Sequence, residues 1–194
     1  MKSMILGACA WAAAALLATA LPARLARAGE ADAPTTTWVH PVIADYGRVH
    51  PRPDAAVQPD PAADYKVFVR VTDDGKHPRE ALPALDRLAR LVNLMAESKV
   101  PASHVHIVAL LDGNAALASA TDDTYRHITK VAKNPNLPIV HALKQAGVEL
   151  LVCSQGLAEH NLPDSAVAPD VTVTLSALTD SVVYGQKGYS LMQL

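Results

Sequence analysis

One sulfur is the most reactive group this chain has to offer. Cys153 follows the apolar run Val148-Glu149-Leu150-Leu151-Val152 and precedes Ser154-Gln155-Gly156. That spacing predicts a strand that delivers the cysteine to its end, and a short helix opened by Ser154. A thiol so placed faces the free amides of the helix that follows it, whose partial positive charge favours thiolate, the nucleophilic form. Position alone describes a packed cysteine equally well, because free Cys is among the most buried residue types. The polar Ser154-Gln155-Gly156 beside it favours chemistry, as does the survival of one unpaired thiol in a chain read below as exported.

Other reactive side chains fall around this one or fail to gather. His160 lies seven residues after Cys153 and could face back across the short helix as a base or cation. Asp112-Gly113 closes an earlier strand and puts an acid near the same sheet edge. His104 and His106 are two apart and share a strand face, so with Cys153 they could make a soft-ligand site for copper or zinc. A closed site needs more ligands than that, and His106 in an apolar run reads as a core histidine, so the expectation is no metal and no cofactor. His77, His127 and His141 read as surface residues. No Gly-rich phosphate loop, Gly-x-Ser-x-Gly elbow or His-Glu-x-x-His occurs, which leaves hydrolase and dinucleotide-enzyme readings without support.

The elements that must position these groups follow from periodicity. Tyr65 to Thr72 alternates, with Val67, Val69 and Val71 on one face, and Asp73-Asp74-Gly75 ends it: a strand. From Arg79 the period changes, and Leu85, Leu88, Ala89, Val92, Met95 and Ala96 fall three or four apart on one face of a helix, with Pro83 in its first turn. His104 to Leu111 is apolar on both faces, as a buried parallel strand would be. Thr121 caps a helix to about Val131 with Asp122 and Asp123 at its positive end. Asn134-Pro135-Asn136 breaks it, and another helix runs to Ala146 with Gly147 as its left-handed stop. After the Cys153 unit come Val171 to Leu175 as strand, Ser176 as helix cap, Gly185 and Gly188 as terminators, and Tyr189 to Met192 as the last strand. Strands alternating with helices predict a three-layer α/β/α fold around a five-stranded parallel sheet, in one domain over residues 65–194.

Two segments precede it. Residues 1–28 have the layout of a signal peptide: Lys2, an apolar run from Met4 to Leu21, then Ala26-Arg27-Ala28 before Gly29. The expected destination is the periplasm or the exterior, with no membrane span left after cleavage. Losing Lys2, Arg24 and Arg27 from 17 basic side chains leaves 14 against 19 acidic ones, net −5. That balance argues against a nucleic-acid partner. Loss of Cys9 leaves Cys153 alone, so the mature chain forms no internal disulfide. Residues 29–64 hold Pro34, Pro41, Pro51, Pro53, Pro59 and Pro61 and read as an extended arm, with Trp38-Val39-His40-Pro41 and Tyr46-Gly47 as aromatic islands that would pin it to the domain or to a neighbouring subunit. A disordered linker is the alternative.

Several of these runs occur together in one known family. Asn134-Pro135-Asn136, the run from Leu143 through Ala146-Gly147-Val148-Glu149-Leu150 to Val152-Cys153 and Gln155, and the ending Ser176-Ala177-Leu178-Thr179 with Gly188-Tyr189 resemble the DsrE family of sulfur-relay proteins, in particular its exported branch. The resemblance implies the fold above, a homo-oligomer (trimer or hexamer), and sulfur donor and acceptor proteins as partners. It also implies that Cys153 takes sulfane sulfur as a persulfide and passes it on, as a sulfurtransferase or sulfur carrier. Ser154, Gln155, Asp112 and His160 would support it. Relatives often have Gly where this chain has Ser154 and His-Gly where it has Asp112-Gly113; an acid beside a thiol opposes thiolate formation. The competing expectation is a non-catalytic binding or assembly module of the same fold, with Cys153 as packing and the arm as the working surface.

Overall fold

The computed structural model describes residues 36–72 and 75–194. The signal-peptide expectation, the first residues of the arm and the Asp73-Asp74 turn lie outside them. Five strands form one sheet, β1 (Tyr65–Val71), β2 (Val105–Leu111), β3 (Glu149–Cys153), β4 (Thr172–Thr174) and β5 (Ser190–Gln193), in the order β4-β3-β2-β1-β5, every neighbouring pair parallel. The helices are α1 (Pro83–Glu97), α2 (Asp122–Thr129), α3 (Leu137–Gln145), α4 (Ser154–Glu159) and α5 (Ala177–Gln186). A 3-10 segment over Gly113–Ser119 was not expected from the sequence; Asp112 starts it by accepting a hydrogen bond from Gly113 N. Its run Ala115, Ala116, Ala118 is short and lacks an apolar period that periodicity could detect.

Alternation along the strands divides the core in two. Val67, Val69 and Val71 of β1, Ile107, Ala109 and Leu111 of β2, and Leu150 and Val152 of β3 share one face with Leu85, Leu88 and Val92 of α1, Ile139, Val140 and Leu143 of α3 and Leu157 of α4. The opposite face is much smaller: Phe68, Val108, Leu110, Leu151 and Cys153 with Ala177, bordered by Tyr184 and Tyr189. Only α5 covers it among the described helices.

The Asn134-Pro135-Asn136 run is a buried polar tie. Asn134 Nδ2 donates to Ala118 O and Ala120 O, and its Oδ1 accepts from Asn136 N and Nδ2. Asn136 Oδ1 accepts from Leu82 N, fixing the entry to α1. These bonds satisfy loop amides and carbonyls that burial would otherwise leave unpaired.

The arm from residue 36 to 64 packs on α1. Asn93, fully buried, accepts from Val42 N and Ile43 N and donates to Ile43 O, Tyr46 O and Gly47 O at 2.9–3.2 Å. Gly47 N donates to Asp86 Oδ1, and Gly47 takes φ +64° so close to α1 that a Cβ would fall 2.2 Å from Arg90 N. Trp38 plays a different part from the one its size suggests: it is 45% exposed and lies under the Arg48 guanidinium, 4.6 Å from its ring centre. The residues that bury the arm are Ile43 and Val49.

Candidate active site

The sequence puts Cys153 at the C-terminal end of β3, and the alternation of the strand decides which way it points. Leu150 and Val152 go to the aliphatic face, so Leu151 and Cys153 go to the α5 face. Ser154 begins α4 immediately, yet the sulfur makes no capping bond to that helix. Its donor is Ala177 N, 3.4 Å from Sγ, at the start of α5. The amide field reaching the thiol is therefore that of a helix 24 residues further on, not of the helix that follows. Physically this is the outcome of the pleat, since a side chain on the α5 face cannot turn back over α4.

A relay cysteine would be expected to be accessible, and this one is not. Cys153 is 2% exposed and packs with Phe68, Val108, Leu110, Leu151 and Ala177. Ser154 and Gln155, expected beside the thiol, instead hold the segment that covers it: Ser154 Oγ donates to Leu175 O at 2.7 Å, and Gln155 Nε2 donates to the same carbonyl at 3.2 Å. These two bonds fix the chain just before Ser176, whose Oγ caps α5 by accepting from Leu178 N. The sulfur is thus shut in, with Ala177 at the start of α5 directly against it.

Asp112 does lie at this edge. It follows Leu111, whose register partner is Val152, the residue before Cys153. Its charge is answered locally, for Oδ2 accepts from Arg70 Nη2 at 2.5 Å and Oδ1 accepts from Gly113 N at 2.9 Å. The acid that would oppose a thiolate is thus paired with a guanidinium from β1. Arg70 was the functional neighbour that sequence reasoning missed; its signal was a polar side chain two residues after Phe68, on the same strand face.

His160 is not brought to the sulfur. Its Nε2 donates to Gly113 O at 3.3 Å, and it lines a cleft of about 300 Å³ with Lys76, His77, Glu80 and Asn114. The histidine pair and Cys153 do not meet either. His104 sits in a 3-10 turn with Nδ1 donating to Pro61 O, and His106 is exposed at the other end of β2. Six residue steps along β2 separate His106 from the level of Cys153, about 20 Å. No cluster of three His, Cys, Asp or Glu fit to hold a metal occurs among the described residues.

Two more groups complete the α5 face. Tyr184 stacks on Phe68 with ring centres 4.9 Å apart, and Tyr189 meets it edge-on at 5.0 Å. Burial, with the Glu149 and Asp180 charges nearby, pushes the Tyr184 phenol above its ordinary range. Asp180 is buried in the first turns of α5, and its Oδ2 has no hydrogen-bond donor.

Comparison with known proteins bears directly on this architecture. The DsrE/DsrF-like family model matches residues 66–194, two-thirds of the chain and all of its sheet but the first residue of β1. The chain belongs to the DsrE/DsrF-like family. A solved structure described as a protein of unknown function, MTH1491 from Methanobacterium thermoautotrophicum, superposes with a TM-score of 0.50 at 18% identity, over 68% of this chain and 100% of the other. The ychN protein of E. coli gives 0.48 at 11% identity, over 67% and 99%. No protein with a curated description matches. At these identities the likeness is one of fold: the parallel α/β sheet of a DsrE-like protein.

Within that DsrE-like sheet the groups at the strand ends are Arg70, Asp112 and Cys153, with Ala177 N above the sulfur. No helix among the described residues is long and apolar enough to cross a membrane.

Proposed function

We propose that this chain is an exported sulfane-sulfur carrier of the DsrE/DsrF-like kind, with Cys153 as the accepting atom. The observation that carries the reading is the hydrogen bond from Ala177 N to Sγ at the start of α5. An amide at a helix N-terminus favours negative charge on the sulfur it touches, and sulfur transfer needs that charge twice. In loading, the Cys153 thiolate attacks the outer sulfur of a donor persulfide or polysulfide. The new Sγ–S bond forms as the donor S–S bond breaks, the electron pair leaves on the donor thiolate, and the Cys153 proton has gone to solvent. In unloading, an acceptor thiolate takes the outer sulfur and Cys153 departs as thiolate, again facing Ala177 N. No oxidant or reductant is consumed.

Family membership supports this reading, and so does the pairing of Asp112 with Arg70, which answers one negative charge at this sheet edge. Burial of the sulfur requires that Leu175–Ala177 move aside before either step. The proposal extends to a homo-oligomer, trimer or hexamer, to a donor and an acceptor protein, and to a periplasmic or secreted location. Sedimentation equilibrium tests the first, and N-terminal sequencing of the secreted form, expected to begin at Gly29, tests the last.

A second reading has one specific observation in its favour. Cys153 is 2% exposed among hydrocarbon side chains, as a packed cysteine of a non-catalytic module would be. Intact-mass measurement separates the two. The reduced native protein exposed to polysulfide is expected to gain sulfur, and Cys153→Ser to gain none. Failure of the native protein to take up sulfur, with the thiol still titratable after denaturation, leaves the module reading.

A further inference from the structure

α5 is inside out. Its branched aliphatics, Leu178, Val182 and Val183, are exposed, while its buried positions are Ala177 and Asp180, with half-buried Tyr184 one turn on. α1 does the reverse, burying Leu85, Leu88 and Val92. A helix docks mainly through the apolar area it removes from water, so α5 has little to hold it down. What it does bury includes a cost: Asp180 Oδ2 is out of solvent without a donor, and on the sheet face beneath, Arg70 Nε is likewise buried and unmatched. Unmet buried polar groups oppose the closed state. Against this stand the Ala177 amide on sulfur, the Tyr184–Phe68 stack, and the two bonds from Ser154 and Gln155 to Leu175 O, made by exposed side chains.

We propose that Leu175–Gln186 is a movable cover over Cys153, latched by Ser154 and Gln155, and that Asp180 is a positioning residue that keeps its closure weak enough to open. The inference rests on the carrier reading for its purpose, since a carrier needs a sulfur that is shielded at rest and reached on demand. Its mechanics stand alone: the thiol reacts through a local opening of α5, with the rest of the sheet intact, as low-stability segments of folded proteins do.

The test is the rate at which dithionitrobenzoate labels Cys153 in the intact native protein. Labelling is expected to be slow and insensitive to urea well below the unfolding transition, because a local opening exposes little surface. Ser154→Ala with Gln155→Ala is expected to speed it about fivefold, at about the weight of one hydrogen bond. Asp180→Asn, which removes the buried charge at constant shape, is expected to slow it about tenfold. Circular dichroism and urea unfolding of each variant show that the fold is kept, and the opposite signs guard against general loosening. Labelling that tracks global unfolding in every variant overturns the cover, as does labelling suppressed by raising the protein concentration, which would mean that a second copy holds α5 shut. If labelling follows the expected pattern but polysulfide adds no sulfur, the carrier reading falls and the cover stands.

Discussion

The two faces of the sheet are made by the same strands and differ in almost everything else. One face packs Val67, Val69, Val71, Ile107, Leu111, Leu150 and Val152 against three helices that bury leucine, isoleucine and valine. The other carries Arg70, Asp112 and Cys153 at its C-terminal end and lies under one helix whose aliphatic residues point away. The first face has the density that makes a fold; the second leaves polar atoms unmatched and a sulfur covered by a few residues. Most of the packing and the Cys153 sulfur therefore lie on opposite sides of one sheet, and alternation in three strands is what separates them.

Substitutions on the two faces should break or sharpen that contrast. The largest effect is expected on the aliphatic face: Leu85→Ala, at a fully buried position, should cost about 3–4 kcal/mol in urea unfolding. Next comes Asn93→Ala, which removes five hydrogen bonds between α1 and the arm; we expect about 2–3 kcal/mol, with limited proteolysis newly cutting between residues 40 and 50. On the α5 face, Tyr184→Ala should cost only about 1–2 kcal/mol, since the ring is only partly buried and its stack on Phe68 is the main loss. A Tyr184→Ala cost equal to that of Leu85→Ala would erase the distinction between the faces.

The smallest expected effect concerns ionisation. Tyr184 titrates above the ordinary phenol value of 10.0 because burial, then the Glu149 and Asp180 charges, disfavour phenolate. A raised pKa contributes stability that is complete below the unfolded value and is lost as pH rises through the folded one. Ultraviolet titration should thus find two late phenols, Tyr184 and Tyr125, the latter raised by its own burial; one of them should disappear in Tyr184→Phe, and the variant should lose less stability than the parent above about pH 10. A Tyr184 that ionises with the exposed phenols would mean that α5 is not seated as described.

Much of the fold was legible in the residues. Valine alternation gave β1, the three-and-four spacing of leucines gave α1, Thr121 and Ser176 were caps as their types suggest, and Gly147 and Gly188 take the left-handed conformation that their places at helix ends require. The strand ending at Cys153 was legible for the same reason: local apolar runs and turn residues encode local structure. The 3-10 segment after Asp112 was not, because small residues without a period give no signal. The arm was legible in part: Tyr46-Gly47 does meet α1, through Asn93 and Asp86, whereas the buried Ile43 and Val49 are unremarkable in sequence and the conspicuous Trp38 is exposed.

For the site, sequence alone determined that one cysteine ends the third strand, with Ser154 and Gln155 after it and an acid at the end of the second. It could not determine what touches the sulfur. That depended on the pleat, which turned Cys153 away from α4; on the chain crossing from β4 to β5, which laid Ala177 over it; and on strand register, which set Asp112 against Arg70. Each is a contact between residues far apart along the chain, made by packing that no local pattern records.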